Sequence, residues 1–177
     1  MLVLTAAVVA VGVLCLADLL LTFGVIRRLR QHSALLASRG DAPVATRLSI
    51  GESPGPFTAV TTDGVDLTSH AGFRIAAFFS ATCSICPGRV PTFIDYLQAN
   101  QVAHHEVLAV VLAGESDSVP YLDQLTDAGR VCVQPPDGNL ATAFKVGGYP
   151  AFCLLDQDGT VRASSFTPAD LPQLVAA

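Results

Sequence analysis

Cys83 and Cys86 are the residues whose types and spacing could do chemistry with protein atoms alone. They stand in the run Phe79-Ser80-Ala81-Thr82-Cys83-Ser84-Ile85-Cys86-Pro87, where an apolar strand pattern gives way to a helical one. Two thiols at this spacing can close a disulfide and reopen it by exchange. At a helix N-terminus, unpaired N–H groups and the positive end of the dipole stabilise a thiolate. The same C-x-x-C spacing also serves zinc, which needs four ligands and usually a second Cys or His pair. His70, His104, His105, Cys132 and Cys153 do not form a clean second pair. The strand–CxxC–helix setting therefore favours redox exchange over a metal, and no cofactor is implied.

The elements that must position the pair are legible around it. Ile75-Ala76-Ala77-Phe78-Phe79 is wholly apolar, as expected of a central strand covered on both faces. Val90, Phe93, Ile94 and Leu97 fall at helical spacing after the cysteines, and Pro91 should kink that helix. Further along, Phe57 to Val60 and Val65 with Leu67 predict two short strands around the turn Thr62-Asp63-Gly64. Val107 to Leu112 and Val131-Cys132-Val133 predict two more, with a helix over Val119, Leu122 and Leu125 ended by Gly129. Leu140 to Phe144 should be helical. Ala151 to Leu155 and Val161 to Phe166 read as a hairpin, and Thr167 with Pro168 should cap a final helix. Strands alternating with helices, closed by a hairpin and helix, predict an α/β sandwich.

The first part of the chain has a different character. Leu2 to Ile26 is almost continuously apolar and as a helix would span about 37 Å, enough to cross a hydrocarbon core of about 30 Å. A cleaved signal peptide would want a basic n-region, yet no Lys or Arg precedes Arg27. A lipoprotein signal would use Cys15, but the large Leu14 precedes it. Residues 1–30 are accordingly read as a transmembrane anchor with a basic flank, 31–49 as a linker, and 50–177 as the folded domain. Asp18 within the span either faces a polar partner or sits protonated or hydrated; both readings stay open.

Charge divides the chain as well. Arg27, Arg28, Arg30, Arg39 and Arg47 form a basic stretch suited to anionic lipid head groups, whereas from Ile50 onward five basic residues face thirteen acids. An acidic domain argues against a nucleic-acid role. Orientation is a conflict: the positive-inside rule would keep the Arg-rich flank cytoplasmic, while a dithiol module is more useful outside, where disulfides persist.

Taken in order, several motifs carry a resemblance. Residues from about 50 to 175 resemble the thioredoxin fold, and within it the membrane-anchored TlpA-like thiol–disulfide oxidoreductases. The resemblance rests on Ile50-Gly51-Glu52-Ser53-Pro54-Gly55-Pro56-Phe57, Asp63-Gly64, His70-Ala71-Gly72, the cysteine pair, and Pro91 five residues after Cys86. It also rests on Gly147-Gly148-Tyr149-Pro150-Ala151-Phe152 followed by Leu154-Leu155-Asp156-Gln157-Asp158-Gly159. The Ser80-x-Thr82-Cys83 form is most similar to the accessory thioredoxin-like proteins of methylamine utilisation (MauD-like).

The resemblance implies an α/β/α sandwich with a central mixed sheet. It implies that Cys83 is the attacking cysteine, nearer the helix N-terminus, more exposed and of lower pKa, and that Cys86 resolves the mixed disulfide. It also implies a cis Pro150 that sets the Tyr149 backbone against substrate. Its partners would be a protein disulfide substrate, a dithiol-type membrane electron donor, and lipid through the N-terminal helix, with the domain extracytoplasmic and the net direction reductive.

Departures from the pattern are equally specific. Thr82 stands where the family commonly has Trp, Ser84-Ile85 replaces Gly-Pro, Ala77 replaces a buried acid, and Arg89 stands where some members carry a carboxylate. Arg89 would favour thiolate if it points inward; a solvated helix residue is the other reading. Cys132 and Cys153 read as two independent buried thiols or a second disulfide, and Tyr149, His104 and His105 as substrate contacts or surface residues. Two other classes compete. A thioredoxin-fold copper metallochaperone would want C-x-x-x-C and a distant His, and a peroxide-reducing enzyme would want a peroxidatic Thr-x-x-Cys.

Overall fold

The computed structural model describes residues 48–69 and 72–174, together with Gly12. The predicted anchor, most of the linker, Cys15, Asp18, His70 and the arginines from 27 to 47 lie outside the described residues. Among the described residues, no helix is long and apolar enough to cross a membrane. The chain divides into two compact units, 1–43 and 44–177, and the strands and helices named below all belong to the second.

In the second unit the described residues form seven strands and three α-helices in turn: β1 (Thr58–Val60), β2 (Asp66–Thr68), β3 (Ile75–Ser80), α1 (Cys86–Ala99), β4 (Val107–Leu112), α2 (Leu122–Ala128), β5 (Arg130–Gln134), α3 (Asn139–Ala143), β6 (Ala151–Leu155) and β7 (Val161–Ser165). β1 and β2 form an antiparallel hairpin. The other five make a mixed sheet in the order β5-β4-β3-β6-β7. β3, β4 and β5 run parallel, while β6 and β7 run antiparallel to their neighbours. The two apolar runs with no polar alternation, β3 and β4, are its central parallel strands, and every residue of both is buried. That is the burial expected of strands covered on both faces.

Successive side chains along a strand point to opposite faces, and the core divides accordingly. Ile75, Ala77 and Phe79 pack with Val107, Ala109 and Val111 beneath α1 and α2. Ala76 and Phe78 pack with Leu108, Val110 and Leu112 beneath α3 and the β1–β2 hairpin. Helices thus cover both faces, the predicted α/β/α arrangement. On the α1 side the ring of Phe79 touches Phe93, Tyr121 and Phe152, with centroids 5.9, 5.9 and 5.7 Å away. Burying each such ring stabilises by roughly 1.5–3 kcal/mol.

Helix α1 runs on through Pro91. Near its end, Asn100 is a buried polar side chain with both ends engaged: Nδ2 donates to Tyr96 O at 2.8 Å, and Oδ1 accepts the Leu174 N–H at 2.6 Å. The Tyr96 hydroxyl donates to Pro172 O at 2.6 Å, so the last described residues are strapped along this helix. The predicted final helix is reduced to one 3-10 turn, Pro168–Asp170, and Thr167 supplies no side-chain cap. The reason lies two residues further on. Pro172 disfavours the helical region for the residue before it, and Leu171 is extended (φ −76°, ψ 142°).

The segment ahead of β1 is fastened to the sheet. Gly51 N–H donates to Val161 O and Val161 N–H to Glu52 O, each at 2.8 Å. Ser164 Oγ donates to the carbonyl of Leu48, a buried residue that falls within the predicted linker. The Glu52 carboxylate accepts the Ser49 N–H at 2.7 Å and faces Lys145 at 3.2 Å, which together hold its pKa below the usual value. At the opposite side of the sheet, Thr62 N–H donates to Val131 O of β5 at 2.8 Å.

Candidate active site

The two cysteines are joined: Cys83 and Cys86 form a disulfide, with Cα atoms 5.4 Å apart. Two backbone turns carry the chain from β3 into α1. Cys83 N–H donates to Ser80 O at 3.1 Å and Cys86 N–H to Cys83 O at 3.2 Å. Cys86, not Cys83, is therefore the first helical residue, and Cys83 lies in the loop just ahead of it. The expectation that Cys83 is the nearer to the helix is corrected. The expected difference in exposure holds all the same: Cys86 is 0% exposed and Cys83 is half-buried.

The helix end facing the pair is electrostatically undiluted. Ile85 occupies the N-cap with no side-chain acceptor, and the first turn holds no acid. Pro87, which lacks an N–H, sits in that first turn, where the missing donor costs nothing. Such an end favours a thiolate over a thiol by about 0.3–1 kcal/mol. Arg89 lies in the same turn and is half-buried; its carbonyl accepts the Thr92 hydroxyl at 2.9 Å. Among the described residues neither ion pair involves Arg89.

Antiparallel pairing brings the second part of the site. Phe78 of β3 pairs with Ala151 of β6, so the loop entering β6 meets the end of β3, where the cysteines begin. Its Tyr149–Pro150 peptide is cis. The Tyr149 carbonyl oxygen lies 3.5 Å from Cys83 Sγ, while Pro150 is buried beneath. Burial holds the Tyr149 phenol protonated above its ordinary pKa. Exposed Thr82 and Ser84 flank Cys83, and two large apolar side chains are exposed as well. Ile85 is 56% exposed and Phe166 41%. A Cβ added at Gly148 would come within 3.4 Å of the Phe166 ring, so the ring flanks the Tyr149 loop.

The parallel pairing of β3 with β4 removes two other candidates. His104 and His105 precede β4, and Val107 pairs with Ile75, whereas the cysteines follow Ser80, the partner of Leu112. Five residues of strand, about 17 Å, separate the two ends. His104 Nε2 instead contacts Thr126 O at 3.0 Å. The structure thus brings Tyr149 to the pair and leaves both histidines at the opposite end of the sheet.

Cys132 and Cys153 are also kept apart. They lie on β5 and β6, three strand steps away from each other. That is about 14 Å, against the 4.4–6.8 Å typical of a disulfide's Cα atoms. Cys132 is a buried thiol whose pKa is raised to about 11, first by burial and then by the Asp63 carboxylate.

No family model matches the chain, and no curated protein matches it in sequence. In three dimensions it is similar to a candidate thiol:disulfide interchange protein DsbE from Chlorobium tepidum. That likeness has 25% identity and a TM-score of 0.55, covering 70% of this chain and 90% of that one. The thioredoxin domain of a thiol–disulfide oxidoreductase from Bacteroides vulgatus aligns at 18% identity and TM-score 0.54, over 66% of this chain and 88% of that one. A thiol:disulfide interchange protein from a Bacteroides species aligns at 17% and 0.51, over 66% and 81%. The fold is thioredoxin-like.

Within this thioredoxin-like frame the departures seen in the sequence acquire places. Ala77 lies in the fully buried middle of β3 and Thr82 is exposed beside Cys83. Three residues at the site carry no mark in the sequence. Ile85 and Phe166 read as ordinary apolar residues until their exposure is known. Tyr121 reads as a core aromatic ahead of a short helix, but its hydroxyl donates to Ser80 O at 3.0 Å. Only the unusual company of a phenol in a buried aromatic cluster could have pointed to it, since buried tyrosines usually find a partner for their hydroxyl.

Proposed function

We propose that this chain is a membrane-anchored protein thiol–disulfide oxidoreductase whose working groups are Cys83 and Cys86. The observation that carries the reading is the graded burial of the disulfide: a half-buried Cys83 against the Tyr149 carbonyl, and a fully buried Cys86 behind it. In the reduced form, the Cys83 thiolate attacks one sulfur of a substrate disulfide; that S–S bond breaks, and the other substrate sulfur leaves as a thiolate. Cys86, after losing its proton, then attacks Cys83 Sγ. The mixed disulfide breaks, the second substrate thiolate leaves, and the Cys83–Cys86 bond closes. Two electrons pass to the substrate, and the two protons lost by the dithiol balance the two taken up by the substrate thiolates. A dithiol donor returns the pair to its reduced form by the same exchange in reverse.

Substrate is held by the Tyr149 backbone, to which an extended peptide adds like a strand, with Pro150 fixing the loop. The net direction is reduction. Leu2 to Ile26 supports the anchor, the basic flank its contact with lipid, and the cysteine chemistry an extracytoplasmic domain. The deciding experiment is a Cys86→Ser trap in the native host. Mixed disulfides through Cys83 should accumulate and vanish when Cys83→Ser is added; an absence of such adducts would refute the exchange mechanism. A reporter fused after Ala177, active on only one side of the membrane, tests the orientation.

A further inference from the structure

We propose that Tyr121 is a positioning residue for Cys83, acting through the carbonyl of Ser80; the assignment rests on the exchange reading above. Ser80 O accepts two donors, the Cys83 N–H at 3.1 Å and the Tyr121 hydroxyl at 3.0 Å. The first bond closes the turn that carries the attacking sulfur. The second comes from 41 residues away, at the residue preceding α2. Ser80 is the last residue of β3, and the next peptide is pinned by Ala81 N–H to Leu112 O at 2.9 Å. Its hydroxyl is engaged as well, 3.1 Å from Thr82 Oγ1 and 3.4 Å from Thr82 N. Tyr121 is therefore the one distant side chain, among the hydrogen bonds the described residues make here, that ties this turn to the sheet face covered by α1 and α2.

The donor is rigid and permanent. The Tyr121 ring is 3% exposed and held against Phe79 at 5.9 Å. Burial also raises its pKa, so the phenol keeps its proton where thiols titrate. A carbonyl oxygen carries partial negative charge, and Ser80 O points at the amide of the residue that must become an anion. The phenol draws part of that charge away and fixes the peptide plane, so the Cys83 amide keeps its direction. Without it the carbonyl is more negative and freer to turn, and both changes disfavour the thiolate.

The test is the pH profile of Cys83 alkylation by iodoacetamide in the reduced full chain, read by mass spectrometry of the Cys83 peptide. Tyr121→Phe keeps the ring and removes only the donor. Its profile should move about half a pH unit to the alkaline side, about threefold less thiolate at neutral pH. Tyr96→Phe is the matched control. It also loses a buried tyrosine bond, to Pro172 O, but lies ten residues beyond Cys86, about 15 Å along the helix. It should lower the melting temperature and leave the profile unmoved. A Tyr121→Phe profile that superimposes on the parent, or a shift shared by Tyr96→Phe, overturns the assignment. Failure of the exchange reading shows separately, as a parent protein that gives no Cys83 adducts in the trap, while the alkylation profile still reports on Tyr121.

Discussion

Reducing the Cys83–Cys86 bond should lower the stability of the domain, and the size of the loss follows from the loop and the helix beside it. The bridge closes a loop of four residues, and chain entropy assigns such a closure about 2 kcal/mol in favour of the oxidised folded state. One term opposes it. Once reduced, Cys83 can ionise beside the uncapped end of α1, which returns about 0.3–1 kcal/mol to the reduced form when the pH lies above the thiol pKa. The difference is about 1–1.7 kcal/mol. For a domain of about 130 residues, at roughly 4 °C per kcal/mol, the reduced form should melt about 4–7 °C below the oxidised one. Folding that favours the disulfide lowers the reduction potential, by about 20–35 mV relative to an unconstrained dithiol, the sense expected of the reductive direction proposed above. The assay is calorimetry at pH 7 on matched oxidised and phosphine-reduced samples, with thiol content measured before and after each scan. A reduced form that melts level with or above the oxidised one would refute both the ledger and the reductive direction.

Three other outcomes follow from side chains away from the pair. Cys132, with its pKa near 11, should be about 0.1% thiolate at pH 8, and Cys86 is fully buried, so reduced native protein should show only Cys83 as a fast-reacting thiol of the domain until it is unfolded. Because this folded pKa lies above the unfolded one, the stability tied to protonated Cys132 is intact below pH 9 and lost as pH rises toward 11; Cys132→Ala should flatten that alkaline fall in melting temperature. Gly129→Ala would place a Cβ 2.5 Å from Val107 Cβ and Cγ1, and urea unfolding should show a loss of about 1–3 kcal/mol with the alkylation profile of Cys83 unchanged. Asn100→Ala removes both bonds of a buried amide and should cost about 1–3 kcal/mol, with hydrogen exchange at the Leu174 amide accelerated more than in the central strands.

The sequence spoke most clearly where burial is two-sided. β3 and β4 are continuous apolar runs, and their limits can be read almost to the residue because nothing polar interrupts them. The CxxC and the Gly-Gly-Tyr-Pro loop were each visible as local motifs, and antiparallel pairing of β3 with β6 is what makes them neighbours. Local reading failed where a distant or downstream partner decides. Thr167-Pro168 is a sound helix start, but Pro172 stops the helix after a single turn. Cys132 and Cys153 both sit in strands, yet only strand order reveals the two strands between them. Tyr121 is invisible for the same reason, since its role lies in one hydrogen bond across 41 residues.

The backbone bonds made by the segment between Leu48 and Leu67 have a colloidal consequence. One stretch of chain fastens to β7 through Gly51 and Glu52 and, after crossing one face, to β5 through Thr62. Both outer strands of the sheet thus have part of their hydrogen-bonding rim occupied by the molecule itself. Unsatisfied rims are where sheets recruit one another into aggregates. A domain tethered in a plane, as proposed above, would meet its own copies far more often than one free in solution, and the occupied rims would discourage sideways stacking from both flanks. The Tyr149 loop, with Cys83 Sγ 3.5 Å from its carbonyl oxygen, is where the proposed exchange would admit a visiting backbone.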